Sequence, residues 1–213
     1  MTGLAASFIS GLFRFAVCAL LLVVSPVIQA QIAAFEKHIG TTNNATINLQ
    51  MESRALMNAT IRTWDRDQVY IAAVPNDKLG FTLGEKGRTA KDLMWHTITS
   101  DIWFTEGISS GAFPQSESKD PAPATVAEMT AQYESGMAAG MAKVKAMTGE
   151  QLAKPISFFG IMDLPAVMYL QFLSNHSIHH RGQLSTYLRA MNAHVPSIYG
   201  GSADEPFQAS AQA

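Results

Sequence analysis

The chain has 213 residues, enough to bury the core of one domain and short for two. Apolar residues make up 47% of it and charged residues 15%, and its 15 Lys and Arg nearly balance its 17 Asp and Glu. With no stretch in which Lys and Arg gather, the sequence argues against a nucleic-acid-binding surface; the charged run from Arg62 to Asp67 mixes both signs and reads as a solvated helix face.

Arg14 is the only charged residue before Glu36. Phe15 to Val24 is uninterruptedly apolar, Ser25-Pro26 breaks the run, and Val27-Ile28-Gln29-Ala30 ends on a small residue. This is the layout of a secretory signal peptide over residues 1–30, with a mature N-terminus near Gln31 and an exported protein, periplasmic or secreted, that keeps no membrane span after cleavage. The alternative is an uncleaved N-terminal helix, since Gly3 to Val24 nearly reaches spanning length. Cys18, the single cysteine, falls inside this segment. The mature domain then has no thiol nucleophile, no cysteine metal ligand and no disulfide, which fits an oxidising compartment.

Residues 31–46 read as a polar linker ending in Thr41-Thr42-Asn43-Asn44, residues 47–206 as a helical domain, and residues 207–213 as a disordered tail. The first helix is predicted from Asn48 to Ala73, with Met57, Ile61, Trp64 and Ile71 on one apolar face and Pro75 and Gly80 ending it. The second is predicted from Thr89, which with Asp92 resembles a capping box, to Ile108. Gly111 to Pro123 is a loop. The third opens on the capping box Thr125/Glu128 and carries Val126, Met129, Tyr133, Met137, Gly140, Val144 and Met147 at steps of three and four, a core seam. Gly136 and Gly140 weaken this helix singly but allow a neighbour to approach closely. Gly149 to Gly160 is a connection. The last helix is expected to be capped by Asp163, with Leu164-Pro165 in its first turn, and to run to Met191, where Asn192 and Pro196 stop it. No alternating strand is evident. The pattern predicts an all-α fold, a four-helix bundle.

The last helix carries Asn175-His176-Ser177-Ile178-His179-His180-Arg181-Gly182-Gln183. Residues four apart lie about 40° apart in projection, so His176 and His180 stack on one face, which also carries Tyr169, Phe172, Leu173, Leu184 and Tyr187 and so points into the core. His179 is about 60° from His176 in the opposite sense, so geometry alone permits either partner, and the apolar neighbours favour His180. Two buried imidazoles need partners, and one metal ion satisfies both. His96 on the second helix shares a face with Leu93, Ser100 and Trp103 and is a plausible third nitrogen.

Leu93-Met94-Trp95-His96 followed by Trp103-Phe104 resembles the first metal-ligand segment of the DinB/YfiT-like superfamily, and His176-Ser-Ile-His-His180-Arg-Gly-Gln183 followed by Tyr187-Leu-Arg189 resembles its second. Phe81 with Glu85-Lys86-Gly87-Arg88-Thr89, and the tail Val195-Pro196-Ser-Ile-Tyr199-Gly with Ser202-Ala-Asp204-Glu205, are similar to further family signatures. The resemblance implies a four-helix bundle with one divalent ion, zinc first and nickel as the alternative, held by His96, His176 and His180. It places His179 beside a ligand rather than as one. The family includes thiol-dependent transferases and a thiol-dependent isomerase, and its members often pair through helix faces, so the resemblance implies a homodimer. A signal-like N-terminus departs from the usual member and argues against use of a cytosolic thiol.

Three imidazoles leave coordination positions open, as in catalytic metal sites. The expected function is a metal-dependent transferase or hydrolase acting on a small molecule through an activated water or thiol. The alternative is a non-catalytic metal-binding module of the cell envelope. His179, Gln183 and Tyr187 are candidates to orient a ligand or meet substrate. Arg181 reads equally as a surface ion-pair member, Tyr187 as a packed ring, and Asp204 and Glu205 as a solvated pair or an arginine partner.

Overall fold

The computed structural model describes residues 45–118 and 120–207. The signal-peptide and linker readings up to residue 44 therefore lie outside the described residues. From Gln50 on, the described residues form one compact unit. In chain order the elements are α1 (Ala45–Ala72), a single 3-10 turn (Asn76–Lys78), α2 (Ala90–Ser110), α3 (Val126–Ala146), the short α4 (Gly149–Ala153), strands β1 (Pro155–Phe158) and β2 (Met162–Pro165), and α5 (Met168–Ala190). The protein is mostly helical, with four long helices, one helix of five residues and a hairpin among the described residues. No described helix is long and apolar enough to cross a membrane.

α2 and α3 start where their caps dictate. The amide of Asp92 donates to Thr89 Oγ1 at 3.1 Å, and that hydroxyl donates to the Asp92 carboxylate at 2.7 Å. In α3 the box is reciprocal: Glu128 N donates to Thr125 Oγ1 at 3.2 Å and Thr125 N to the Glu128 carboxylate at 2.9 Å. Such a cap stabilises a helix by about 1 kcal/mol. The α3 seam is buried as its spacing predicts, over Val126, Met129, Tyr133, Met137, Gly140 and Val144, with Met141 joining it; Met147 is only the half-buried C-cap.

Three readings need correction. The first concerns α1, which begins at Ala45, inside the expected linker, and does not turn its apolar stripe fully inward. Ile71 is buried, but Met57, Ile61 and Trp64 are half-buried, while Thr60, Thr63 and Asp67 are enclosed. Thr60 Oγ1 donates to the Leu56 carbonyl at 3.0 Å and lies 3.2 Å from Ser174 Oγ on α5, and Tyr70 Oη donates to the Pro196 carbonyl at 2.8 Å. Polar contacts, not periodicity, fix this face. The second concerns Arg62 to Asp67, which is not wholly solvated, because Asp67 is 2% exposed.

The third concerns Asp163. It lies in β2 opposite Ser157, both exposed, while their neighbours Ile156 and Leu164 pair across the hairpin and are buried. Phe159 (φ 54°) and Gly160 (φ 71°) both take the left-handed conformation of a tight hairpin turn, closed by Ile161 N donating to the Phe158 carbonyl at 3.0 Å. α5 starts at Met168 with no side-chain cap. Instead Ala166 N and Val167 N donate to the Lys154 and Leu152 carbonyls, both at 3.0 Å, and Tyr169 Oη donates to the Ile156 carbonyl at 2.8 Å. The hairpin so anchored aligns the helix that carries two of the three histidines.

α2 and α3 approach closely at two glycines. A methyl on Gly140 would run into Thr105 Oγ1 and Cβ, and one on Gly136 into the Cδ1 end of Ile102. Thr105 is 1% exposed and its hydroxyl is tied to the Ile102 carbonyl at 2.7 Å, so it has nowhere to go; the tip of half-buried Ile102 can rotate away. Alanine gains about 1 kcal/mol of helix propensity over glycine, and overpacking costs about 1–3 kcal/mol. Gly140→Ala is therefore expected to lower the urea midpoint and Gly136→Ala to leave it equal or higher. A Gly140→Ala protein more stable than wild type would show that the helices are not in this contact.

Candidate metal centre

His96 lies two turns into α2, and His176 and His180 lie one turn apart in α5. The structure brings the three together, with candidate ligand atoms within 4.8 Å of one another. His176 Nε2 is 3.3 Å from His96 Nε2 and 3.0 Å from His180 Nε2. Three nitrogens around one tetrahedral zinc lie about 3.3 Å apart, so the spacing fits. His180 is buried, whereas the side chains of His96 and His176 keep 24% and 22% exposure, so the triad is reachable from solvent.

The other ring nitrogens bear on what the cluster can hold. His96 Nδ1 is 3.3 Å from Glu117 Oε2 and 3.3 Å from Ser100 Oγ. His180 Nδ1 is 2.7 Å from Gln183 Oε1, and His176 Nδ1 is 3.6 Å from Asp101 Oδ1. Each Nδ1 thus faces a side-chain oxygen; with the proton on Nδ1, each Nε2 would present a lone pair. Three lone pairs so directed would repel, and a cation would satisfy them together. His176 Nδ1 and Asp101 Oδ1 are also buried with no hydrogen-bond partner, as expected of a pair that tightens around a bound ion. The residues fit a divalent metal.

Burial, then mutual repulsion among the imidazoles, lowers His176 and His180 to about 3, which keeps both neutral as metal ligation requires. Burial raises the Asp101 carboxyl to about 7 against the hydrogen bonds from Tyr133 and Ser177. Burial would also raise Glu117, but side-chain hydrogen bonds, first with His96 and then with Ser100 and Thr99, outweigh it and leave the carboxyl below its usual range.

Below the triad lies a polar network. Asp101 Oδ2 accepts from Tyr133 Oη at 2.5 Å and Ser177 Oγ at 2.8 Å. Tyr133 Oη also faces Asp67 Oδ2 at 3.4 Å, and Asp67 Oδ1 accepts from Arg181 Nη1 at 2.7 Å. Arg181 is 5% exposed, so its ion pair is a buried one, and Nη2 donates on to Tyr199 Oη at 2.7 Å. Asp101, Glu117, Tyr133, Asp67 and Ser177 were not singled out as site residues by sequence. The one available sign was Asp101, the sole charge in the run Thr97 to Phe104.

The remaining candidates separate cleanly. Gln183 is at the site through His180. His179 is exposed, outside the cluster, with its ring 4.9 Å from that of His180. Tyr187 is a packed ring: it meets Phe81 edge-on and its hydroxyl donates to the Arg88 carbonyl at 2.8 Å. Asp204 pairs with Arg189 at 3.0 Å and caps Val195 N at 2.8 Å, and Glu205 pairs with His194 at 2.6 Å. Asp204 clips the tail to the last turn of α5 and Glu205 to the segment that follows it, and neither joins the cluster of His96, His176 and His180.

The lowered histidines set a pH dependence. Between about 3 and their unfolded value near 6.5, the unfolded chain binds more protons than the folded one. Their contribution to stability is whole above about 6.5 and is lost as pH falls toward about 3. Chelator-treated His180→Gln, which cannot titrate there, is expected to lose stability less steeply than chelator-treated wild type across that window. Parallel curves in denaturant titrations would refute the assignment.

Comparison with known proteins bears on the fold and the family. The DinB family model matches residues 42–209. The uncharacterized protein YrdA of Bacillus subtilis is 25% identical over 150 residues, covering 68% of this chain and 89% of YrdA. A DinB-like protein from Bacillus cereus superposes with a TM-score of 0.61 at 21% identity, covering 68% of this chain and 97% of that one. A DinB-like protein from Bacillus subtilis gives 0.57 at 19% identity with the same two coverages, 68% and 97%. By the match over residues 42–209, the chain belongs to the DinB family.

Proposed function

We propose that the protein is a metal-dependent enzyme, a transferase or hydrolase that acts on a small molecule through a metal-activated water or thiol. The observation that carries this reading is the convergence of three imidazole Nε2 atoms in a site open to solvent. Among the described residues no fourth His, Cys, Asp or Glu joins the cluster, and two of the three side chains reach water. Open positions of this kind belong to catalytic sites, whereas a structural zinc is closed by four protein ligands.

His96, His176 and His180 would hold the ion; three neutral nitrogens suit zinc, with nickel as the alternative. Once bound, it would supply Lewis acidity and lower the pKa of a coordinated water or thiol. Gln183 fixes the tautomer of His180 through Nδ1, and Glu117 does the same for His96. His179, exposed beside His180, is the side chain placed to meet substrate or exchange a proton with solvent.

Elemental analysis of protein purified without a metal-affinity tag is expected to find one divalent ion per chain. His96→Ala, His176→Ala and His180→Ala should each abolish stoichiometric metal, and His179→Ala should retain it. With metal at a thousandfold excess over Kd, binding adds about 4 kcal/mol of stability. Chelator should therefore lower the wild-type melting temperature and leave the three ligand variants nearly unchanged. Loss of metal from His179→Ala together with retention in His180→Ala would overturn the assignment of ligands.

We also propose that the chain is exported and cut near Gln31, on the apolar run and small-residue site in its first 30 residues. Mass spectrometry of the protein from its native host is expected to find a mature N-terminus there. Peptides running intact through residues 1–30 in a soluble cytosolic fraction would remove this reading.

A further inference from the structure

We infer that Asp101 is the positioning residue that sets how tightly the triad holds its metal, acting through His176 and clamped by Tyr133. The inference rests on the metal reading above.

The three imidazoles differ in what stands behind them. His180 is backed by Gln183, a neutral amide on an exposed residue. His96 is backed by Glu117, whose side chain is 34% exposed, so water screens its charge. His176 alone is backed by a carboxylate with 0% exposure. The field of Asp101 reaches the metal position through protein rather than water, where the same charge acts more strongly.

Its aim is fixed as well. Oδ2 is held by the Tyr133 and Ser177 hydroxyls at 2.5 and 2.8 Å, so the carboxylate is not free to turn. That leaves Oδ1 directed at His176 Nδ1, 3.6 Å away, with both atoms buried and without another partner. An approach of a few tenths of an ångström makes this a hydrogen bond. Tyr133 comes from α3 and is buried at 0% exposure, with a phenol that burial and the two carboxylates keep protonated, hence a permanent donor. Among the described residues no Lys or Arg pairs with Asp101: Arg181 pairs with Asp67 instead. A buried carboxylate without a countercharge is costly, and a dication on the far side of the His176 ring supplies one. Metal and carboxylate then stabilise each other.

The test is zinc affinity by competition with a chromophoric chelator, run beside thermal melts of the metal-free proteins, for wild type, Asp101→Asn, Tyr133→Phe and Glu117→Gln. Asp101→Asn keeps an oxygen that can accept from Nδ1 but removes the charge, and should weaken zinc roughly 10- to 100-fold. Tyr133→Phe keeps the charge and loosens the clamp, and should weaken zinc by a smaller factor. Glu117→Gln should weaken it less than Asp101→Asn does. Metal-free Asp101→Asn is expected to melt close to metal-free wild type, since removal of a buried acid offsets the amide NH2 placed where Oδ2 accepted from Tyr133 and Ser177. A lower metal-free melting temperature with unchanged affinity would mean a structural role only and would overturn the inference. So would a Glu117→Gln loss equal to or larger than that of Asp101→Asn. Should Asp101→Asn fail to fold, Tyr133→Phe decides, and zinc binding equal to wild type rejects the clamp. Wild type that binds no zinc or nickel would remove the metal reading itself, and this inference with it.

Discussion

A carboxylate with no exposed surface sits where α2, α3 and α5 meet, and it constrains much of what surrounds it. Burying a charge among apolar side chains costs several kcal/mol unless hydrogen bonds replace the lost water. Asp101 receives them from Tyr133 on α3 and Ser177 on α5. Tyr133 leans on Asp67, and Asp67 in turn needs Arg181. One buried carboxylate therefore brings in a second, and the second a guanidinium. The resulting spine runs from the histidines to Tyr199 through side chains of four helices and the C-terminal segment.

This spine explains why α1 disobeys its own periodicity. A helix normally turns its most apolar stripe inward because burial stabilises by about 25 cal/mol per Å² of apolar surface. The face that α1 turns inward carries Thr60, Thr63 and Asp67, because Arg181 needs an acidic partner and a carbonyl: it takes Asp67 at 2.7 Å and the Thr63 carbonyl at 3.3 Å. A buried arginine without them would cost more than half-exposing Met57 and Ile61. Packing resumes its usual logic at the other end of the bundle, where Phe113 and Phe158 pack against Tyr169 with ring centroids 4.8 and 5.9 Å away. That aromatic cluster joins the loop after α2 and the hairpin to the first turn of α5.

What could be read from the sequence follows the range of the forces involved. The α3 seam and its cap are local, so spacing alone located them. The pair His176 and His180 is local too, one turn apart on one helix. Joining them to His96 needed either the family pattern or the fold, because that contact spans 80 residues. Glu117 was invisible for a different reason: it sits in an irregular loop, where no periodicity says which way a side chain points. Asp163 misled because Asp before Leu-Pro is a good helix start, and nothing local reveals that Ile156 and Leu164 pair across a turn. That turn depends on Phe159 at positive φ, which a sequence reading assigns to glycine first.

The same separation of near and far groups bears on the chemistry proposed for the site. Three neutral imidazoles leave the full charge of a dication at its open face, which favours polarising a bound oxygen or sulfur. Carboxylates as direct ligands would offset that charge. Here they stand one ring further out, Asp101 behind His176 and Glu117 behind His96, where they make the nitrogens more basic without occupying a coordination position. Exposure then gives the direction of approach. His180 is buried, whereas the rings of His96 and His176 reach solvent, so a substrate would come in from the side that those two share. Arg181 and Tyr187 lie off that path, committed to Asp67 and to the Arg88 carbonyl, which leaves His179 and Gln183 as the α5 side chains beside the triad that stay exposed.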